Sequence, residues 1–245
     1  MAKTNKDKEL TLEEKINMVK MSVQALLQDY KTSRLITGTP GIGKSKAVID
    51  ELIVTNTNHV HITGGIKDAR ALYTTLYKYN DPNIIVVFDD TNDIFKKKDC
   101  REILRAAVTN DKERKITFVD NKIIIDGYQS IKPFMTFKSK IIIITNIPKN
   151  KIDQAILSRT SPIEILATKK QISEYVKLNL VEAPPSKVDI KWKEECFDFL
   201  INDIGINNIT HFDFRVFEDC MLWVCATKGT DKPDEWKKYV RNIVS

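Results

Sequence analysis

The 245-residue chain is poor in the residues that staple or metallate small domains. It holds four cysteines (Cys100, Cys196, Cys220 and Cys225), none in a CxxC pair, and three histidines. That pattern argues against a disulfide framework or a zinc cage and predicts a reducing, cytoplasmic setting. Glycine and proline stand at only eight each, and no internal repeat or low-complexity segment is present. No uninterrupted apolar run approaches the roughly 20 residues that a membrane-spanning helix needs. The opening MAKTNKDKEL has charges with no apolar stretch behind them, so neither a secretory signal nor a membrane partner is expected.

What is present is an ordinary globular balance, 42% apolar and 29% charged, enough for one large domain or a domain with a smaller companion. The net charge of +6 is not spread evenly. Residues 96–140 hold twelve Lys/Arg against six Asp/Glu, and the remainder sums to zero. A modest basic excess usually aids solubility, and a localised one names a place to look for a contact surface.

Leu12, Ile16, Val19, Val23, Leu26 and Leu27 recur at three- and four-residue spacing, which predicts an amphipathic helix over 8–30. From residue 31 to 167 short apolar runs alternate with helical patterns: 34–37, 59–63, 84–88 and 141–144 read as strands. Such strands lack outward polar positions, so the pattern predicts a parallel sheet covered on both faces. The interval 115–137 breaks the rhythm and predicts an inserted β-hairpin, with 116–119 and 123–125 flanking a turn at Asp120-Asn121-Lys122. From 168 to 245 only helices are expected, at 169–182, 187–202, 210–228 and 233–244. The expected division is thus an N-terminal helix, an α/β core and a small helical lid whose core holds Trp192, Trp223 and Trp236.

Three motifs carry chemistry. Gly38-Thr39-Pro40-Gly41-Ile42-Gly43-Lys44-Ser45 fits G-x-x-x-x-G-K-[ST] between a strand and a helix. Its backbone N–H groups would wrap phosphates, Lys44 would reach the β- and γ-phosphates, and Ser45 would ligate Mg²⁺. Ile84-Ile85-Val86-Val87-Phe88-Asp89-Asp90 ends a buried strand in two carboxylates. Asp89 is placed to hold the metal and Asp90 to polarise water, with Asp93 a fallback base. Ile141-Ile142-Ile143-Ile144-Thr145-Asn146 ends another strand in an amide able to orient that water.

In order along the chain, GTPGIGKS, IIVVFDD, IIIITN, AILSRT and FDFR resemble the AAA+ ATPase family over roughly residues 30–228. The pattern is most similar to small bacteriophage-encoded AAA+ ATPases, which would make the compartment the host cytoplasm. The resemblance implies ATP and Mg²⁺ as cofactors and a homo-oligomeric ring or arc. It implies Asn146 as the sensor-one residue, Arg159 as the finger that completes a neighbouring subunit's site, and Arg215 as the sensor-two arginine. The family usually has Glu where this chain has Asp90, a carboxylate one methylene shorter.

Two loops are candidate substrate contacts. Ile66 and Lys67 follow Gly64-Gly65 where AAA+ rings carry a pore loop, without the family's usual aromatic. Lys122 stands at the tip of the insertion, with Lys96, Lys97 and Lys98 nearby in sequence. The same lysines would equally suit a solvated edge hairpin. The reading that follows is an ATPase that moves a partner, nucleic acid first and protein second. The alternatives are an ATP-gated helicase loader with slow hydrolysis and a P-loop small-molecule kinase.

Overall fold

The computed structural model describes residues 9–119, 124–126, 129–183 and 185–244. In chain order the elements are α1 (Leu12–Leu27), β1 (Ser33–Gly38), α2 (Lys44–Val54), β2 (His59–Thr63), α3 (Ala69–Lys78), β3 (Ile85–Asp89), α4 (Asp93–Lys96) and α5 (Lys98–Ala107). Then follow β4 (Arg114–Thr117), β5 (Ile124–Asp126), β6 (Gln129–Ile131), β7 (Phe134–Phe137), β8 (Lys140–Ile144), α6 (Gln154–Thr160) and β9 (Ile163–Ile165). The C-terminal helices are α7 (Lys169–Leu178), α8 (Ile190–Asp198), α9 (Phe214–Thr227) and α10 (Trp236–Val244). No helix among the described residues is long and apolar enough to cross a membrane.

Two compact units are present. One comprises Ile16–Gly38 with Lys44–Ile165, and the other Met1–Lys15, Thr39–Gly43 and Leu166–Ser245. The first is built on a five-stranded sheet in the order β2-β3-β8-β1-β9, with every pairing parallel. Its central strands are buried because they are unbroken apolar runs: Ile85 to Phe88 and Ile141 to Ile144 are essentially inaccessible. The edge strand β2 alternates instead, with His59, His61 and Thr63 in its five residues, as a strand with one uncovered side does.

The insertion is β-structure, but its pairing differs from the expected hairpin. β4 pairs antiparallel with β7, Arg114 opposite Phe137, while β5 pairs with β6. Residues 116–117 therefore do not face 124–125, and Lys122 lies outside the described residues. The reason is Arg114, which is 2% exposed. It stacks on Phe137 with 4.8 Å from its guanidinium carbon to the ring centroid. It also donates to the Ala107 carbonyl at 2.8 Å and to the Ser139 carbonyl. A long-range strut of this kind outweighs a local turn signal.

In the helical unit local capping marks the helix starts. Thr168 and Gln171 form a reciprocal capping box at α7, and the Asp213 side chain accepts from Val216 N at α9. Trp236 is fully buried and packs edge-on against Phe199 at 5.1 Å. Trp223, expected in the core, is 40% exposed and lies against Tyr239. Cys100, Cys196 and Cys220 are buried free thiols and Cys225 is half-buried; burial pushes Cys220 up to about 12, which keeps it an unreactive thiol at neutral pH.

Candidate active site

Three adjacent strands bring the motifs to one edge. β8 lies between β3 and β1, and Ile144 is in register with both Asp89 and Ile36. The ends of β3, β8 and β1 therefore deliver Asp89-Asp90, Asn146 and the phosphate loop to the same carboxyl edge of a parallel sheet, the general position of ligand crevices in α/β folds.

The side chains form a connected series there. The Lys44 ammonium, buried at 6% exposure, donates to the Gly38 carbonyl at 3.1 Å and to Asn146 Oδ1 at 2.8 Å. Asn146 Nδ2 donates in turn to Asp90 Oδ1 at 3.1 Å. Asp90 has a left-handed backbone, φ 51, and its N–H donates to the Ile144 carbonyl at 3.1 Å. A cation, an amide and a carboxylate thus stand in a row, and the amide can register a change at either neighbour.

Asp89 is buried, and its Oδ2 lies 3.1 Å from His61 Nε2. The sequence alone assigns His61 no role. Its one cue is register: His61 sits two residues before Thr63, the partner of Asp89 across β2 and β3. Asn92 carries no sequence signal either. It accepts from the Thr145 hydroxyl at 2.6 Å, and that hydroxyl accepts from Ile147 N at 3.1 Å, so Thr145 pins the turn that carries Asn146.

The loop itself is shaped by its neighbours. A Cβ on Gly38 would strike the backbone of Ile165 on β9, whereas a Cβ on Gly43, at φ +87, would meet nothing within 4 Å. The first turn of α2, which opens with the buried Lys44 and with Ser45, offers the N-terminal N–H donors of a helix, which fit a phosphate chain. One hydroxyl, Ser45, and one carboxylate, Asp89, are the oxygen set a hexahydrated magnesium ion exchanges for. The residues present therefore fit ATP and Mg²⁺. Within the helical unit, Thr39 Oγ1 accepts from Ala167 N at 3.1 Å, Ile42 is fully buried and Pro40 is exposed.

Arg159 does not enter the Lys44–Asn146–Asp90 series. Half-buried in the last turn of α6, it donates to the Ala155 carbonyl at 2.6 Å. Arg215 is exposed in the first turn of α9. Among the candidate substrate contacts, Ile66 is corrected: it is 7% exposed and part of the core, because this apolar side chain anchors the Gly64-Gly65 turn. Lys67 is exposed and its carbonyl accepts from Lys97. Lys96 pairs with Asp93 at 2.9 Å, and Lys98 is exposed. The Lys96 contact leaves Asp93 well below the usual carboxylate range, which makes it a poorer base than sequence alone suggested.

No protein-family model matches the chain. It is 25% identical over 145 residues to an uncharacterized 36.7 kDa protein of the nrdC-mobD intergenic region of Enterobacteria phage T4; the match spans 58% of this chain and 44% of that relative, less than half its length. Among solved structures it is similar to a point mutant of Thermotoga maritima RuvB, at 13% identity and TM-score 0.54, covering 97% of this chain and 71% of that one. The Thermotoga maritima RuvB described as a Holliday junction branch migration motor aligns at 13% identity and TM-score 0.54, over 94% and 68% of the two chains. The chain thus has the AAA+ fold of the RuvB structures: a parallel α/β core followed by a helical region.

Proposed function

We propose that the chain is an ATPase that assembles into a ring or arc and couples ATP binding and hydrolysis to movement of a partner, nucleic acid first. The observation that carries this is the hydrogen-bonded series Lys44–Asn146–Asp90 beside Asp89 at the carboxyl edge of the sheet. In this reading the Gly38–Ser45 loop binds the triphosphate, and Ser45 and Asp89 hold Mg²⁺. The ion neutralises charge on the phosphate oxygens. Asp90 orients the attacking water, Asn146 aligns it, and Arg215 contacts the phosphates from the helical unit. Arg159 acts in a neighbouring subunit's site, where an arginine finger contributes about 10³–10⁵ in rate. The division into an N-terminal helix over 1–30, a core over 31–167 and a lid over 168–245 belongs to this proposal. The nucleic-acid partner is supported by the name of the RuvB neighbour and by the exposed lysines.

The test is a mixing experiment. Arg159→Ala and Lys44→Ala chains should each be inactive alone and regain turnover when combined, because the intact loop of one then meets the intact finger of the other, both lesions falling together at the remaining interfaces. No regain in a mixture shown to co-assemble would overturn the shared site. The rate of phosphate release with single-stranded DNA, duplex DNA and no polymer tests the partner.

A second reading, an ATP-gated loader or switch with slow hydrolysis, is favoured by one observation. The short Asp90 carboxylate is already bonded to Asn146. Turnover that stays far below about 1 s⁻¹ with every polymer supports the switch instead.

A further inference from the structure

Gly41 is not required by the phosphate-loop pattern, which leaves that position open to any residue. Its backbone nevertheless stands at φ +69, and a Cβ there would collide with the carboxylate of Asp213. Asp213 belongs to the same compact unit as Thr39–Gly43 and is 4% exposed. Its rotamer is fixed from two sides. Oδ1 accepts from Val216 N at 2.9 Å, and Oδ2 lies 3.0 Å from His211 Nε2. The next residue, Phe214, donates its N–H to the Gly41 carbonyl at 3.3 Å. The tip of the loop is therefore held by shape and by a main-chain hydrogen bond against the first turn of α9, the turn that presents Arg215.

We propose that Asp213 is a positioning residue for the phosphate loop: its fixed carboxylate wedges against Gly41, so that the loop geometry that binds nucleotide and the first turn of α9 move as one. The contrast with Gly43 carries the argument. Gly43 opens onto free space and Gly41 onto a carboxylate, so these two serve different partners. A packed, discrete contact of this kind is what lets one element bias another, and the coupling is reciprocal in free energy. The inference rests on the reading of Gly38–Ser45 as a nucleoside triphosphate site and adds to it a residue that touches no phosphate.

The test is a double-substitution cycle, read as the affinity of a fluorescent ATP analogue with Mg²⁺. A Cβ on Gly41 would meet not only the Asp213 carboxylate but also its Cβ, at 2.7 Å, so only glycine at 213 clears the space. Asp213→Gly keeps a residue tolerated at an N-cap but withdraws the wedge, and should weaken binding about 10-fold. Asp213→Asn keeps both shape and cap and should stay near the wild type. Gly41→Ala should weaken binding by at least about 10-fold, through the collision and the left-handed backbone. In Gly41→Ala with Asp213→Gly the methyl enters the vacated space. The pair should then bind at least about 5-fold more tightly than the two single losses multiplied together predict. The backbone cost at residue 41 is the same in both backgrounds and drops out of that ratio.

Multiplicative losses, or unchanged affinity in Asp213→Gly, would overturn the wedge while leaving the nucleotide site intact. Failure of the wild-type chain to bind the analogue would instead remove the phosphate site itself, and the wedge with it. Thermal unfolding of each variant guards against global unfolding. Should Asp213→Gly not fold, Asp213→Asn still decides: a loss of affinity there, with the shape kept, would overturn the wedge.

Discussion

Asp90 occupies a conformation that most residues avoid. At φ 51 its Cβ crowds the backbone, a strain that Asp and Asn tolerate better than longer side chains because their short polar groups bond locally. The local bond here runs from Asn146 Nδ2 to Asp90 Oδ1. The departure from the glutamate usual in the AAA+ family is therefore consistent with the backbone that carries it. Two outcomes follow at this residue. Asp90→Gly should be about 1 kcal/mol more stable to denaturant than Asp90→Ala, because only glycine adopts this φ without cost. Asp90→Asn should preserve the fold and ATP binding while lowering phosphate release at least about 100-fold, the contribution of a positioned general base. Equal turnover in Asp90→Asn and wild type would transfer the base to another residue.

Among the elements, α5 and α6 are joined by a fork-shaped pair. Arg105 Nε lies 3.1 Å from Asp153 Oδ1 and its Nη2 2.5 Å from Oδ2, and Asp153 also caps α6 through Ala155 N. The Arg105 guanidinium holds the Asp153 carboxyl below its ordinary range. The contribution is thus fully present above the ordinary carboxylate pKa of about 4 and fades as pH falls through the lowered value. Arg105→Ala should lower the denaturant midpoint at neutral pH, with the difference from wild type closing in acid.

The strut at the base of the insertion is a larger matter. Burial pushes Arg114 down to about 10, so it remains charged at neutral pH while bonded to two carbonyls. Arg114→Ala strands both acceptors and should cost about 3 kcal/mol. Arg114→Lys should recover only part, because an ammonium lacks the planar fork that bonds both carbonyls while stacking on Phe137.

These elements also show what could be read from the chain alone. β1, β3 and β8 were legible because unbroken apolar runs leave few alternatives. The glycines, Lys44 and the Asp89-Asp90 pair were legible because motif spacing is local. The partner of β4 was not: periodicity identifies a strand, but Phe137 lies too far along the chain for a turn signal to register. The expected start of α9 lies a few residues early, although Asp213 ahead of an apolar run is an N-cap cue. His61 had no local cue at all, since only the pairing of β2 with β3 brings it to Asp89.

At the scale of the whole molecule, half of the twelve basic residues in 96–140 are engaged internally, by ion pairs or by burial. Lys96 pairs with Asp93, Arg105 with Asp153, Lys138 with Glu113, and Lys112 and Lys140 both with Asp29, while Arg114 is buried. Three of these acids, Asp29, Asp93 and Asp153, come from outside the stretch, so a count along the sequence overstates the field that a partner meets. Lys97 is exposed and donates to the Lys67 carbonyl, while Lys98, Lys115 and Lys132 are exposed and make no ion pair among the described residues. If each subunit neutralises phosphates mainly through these three, log affinity for duplex DNA should fall against log salt with a slope of about −2.7, and for single strands about −2.1. Fluorescence anisotropy across a salt series reads that slope directly. Replacing Lys98, Lys115 and Lys132 with Ala should flatten it. Lys112→Ala with Lys140→Ala should leave it in place, because those ammonium groups already face Asp29. A slope indifferent to the first set, or abolished by the second, would move the contact surface away from α5 and the insertion.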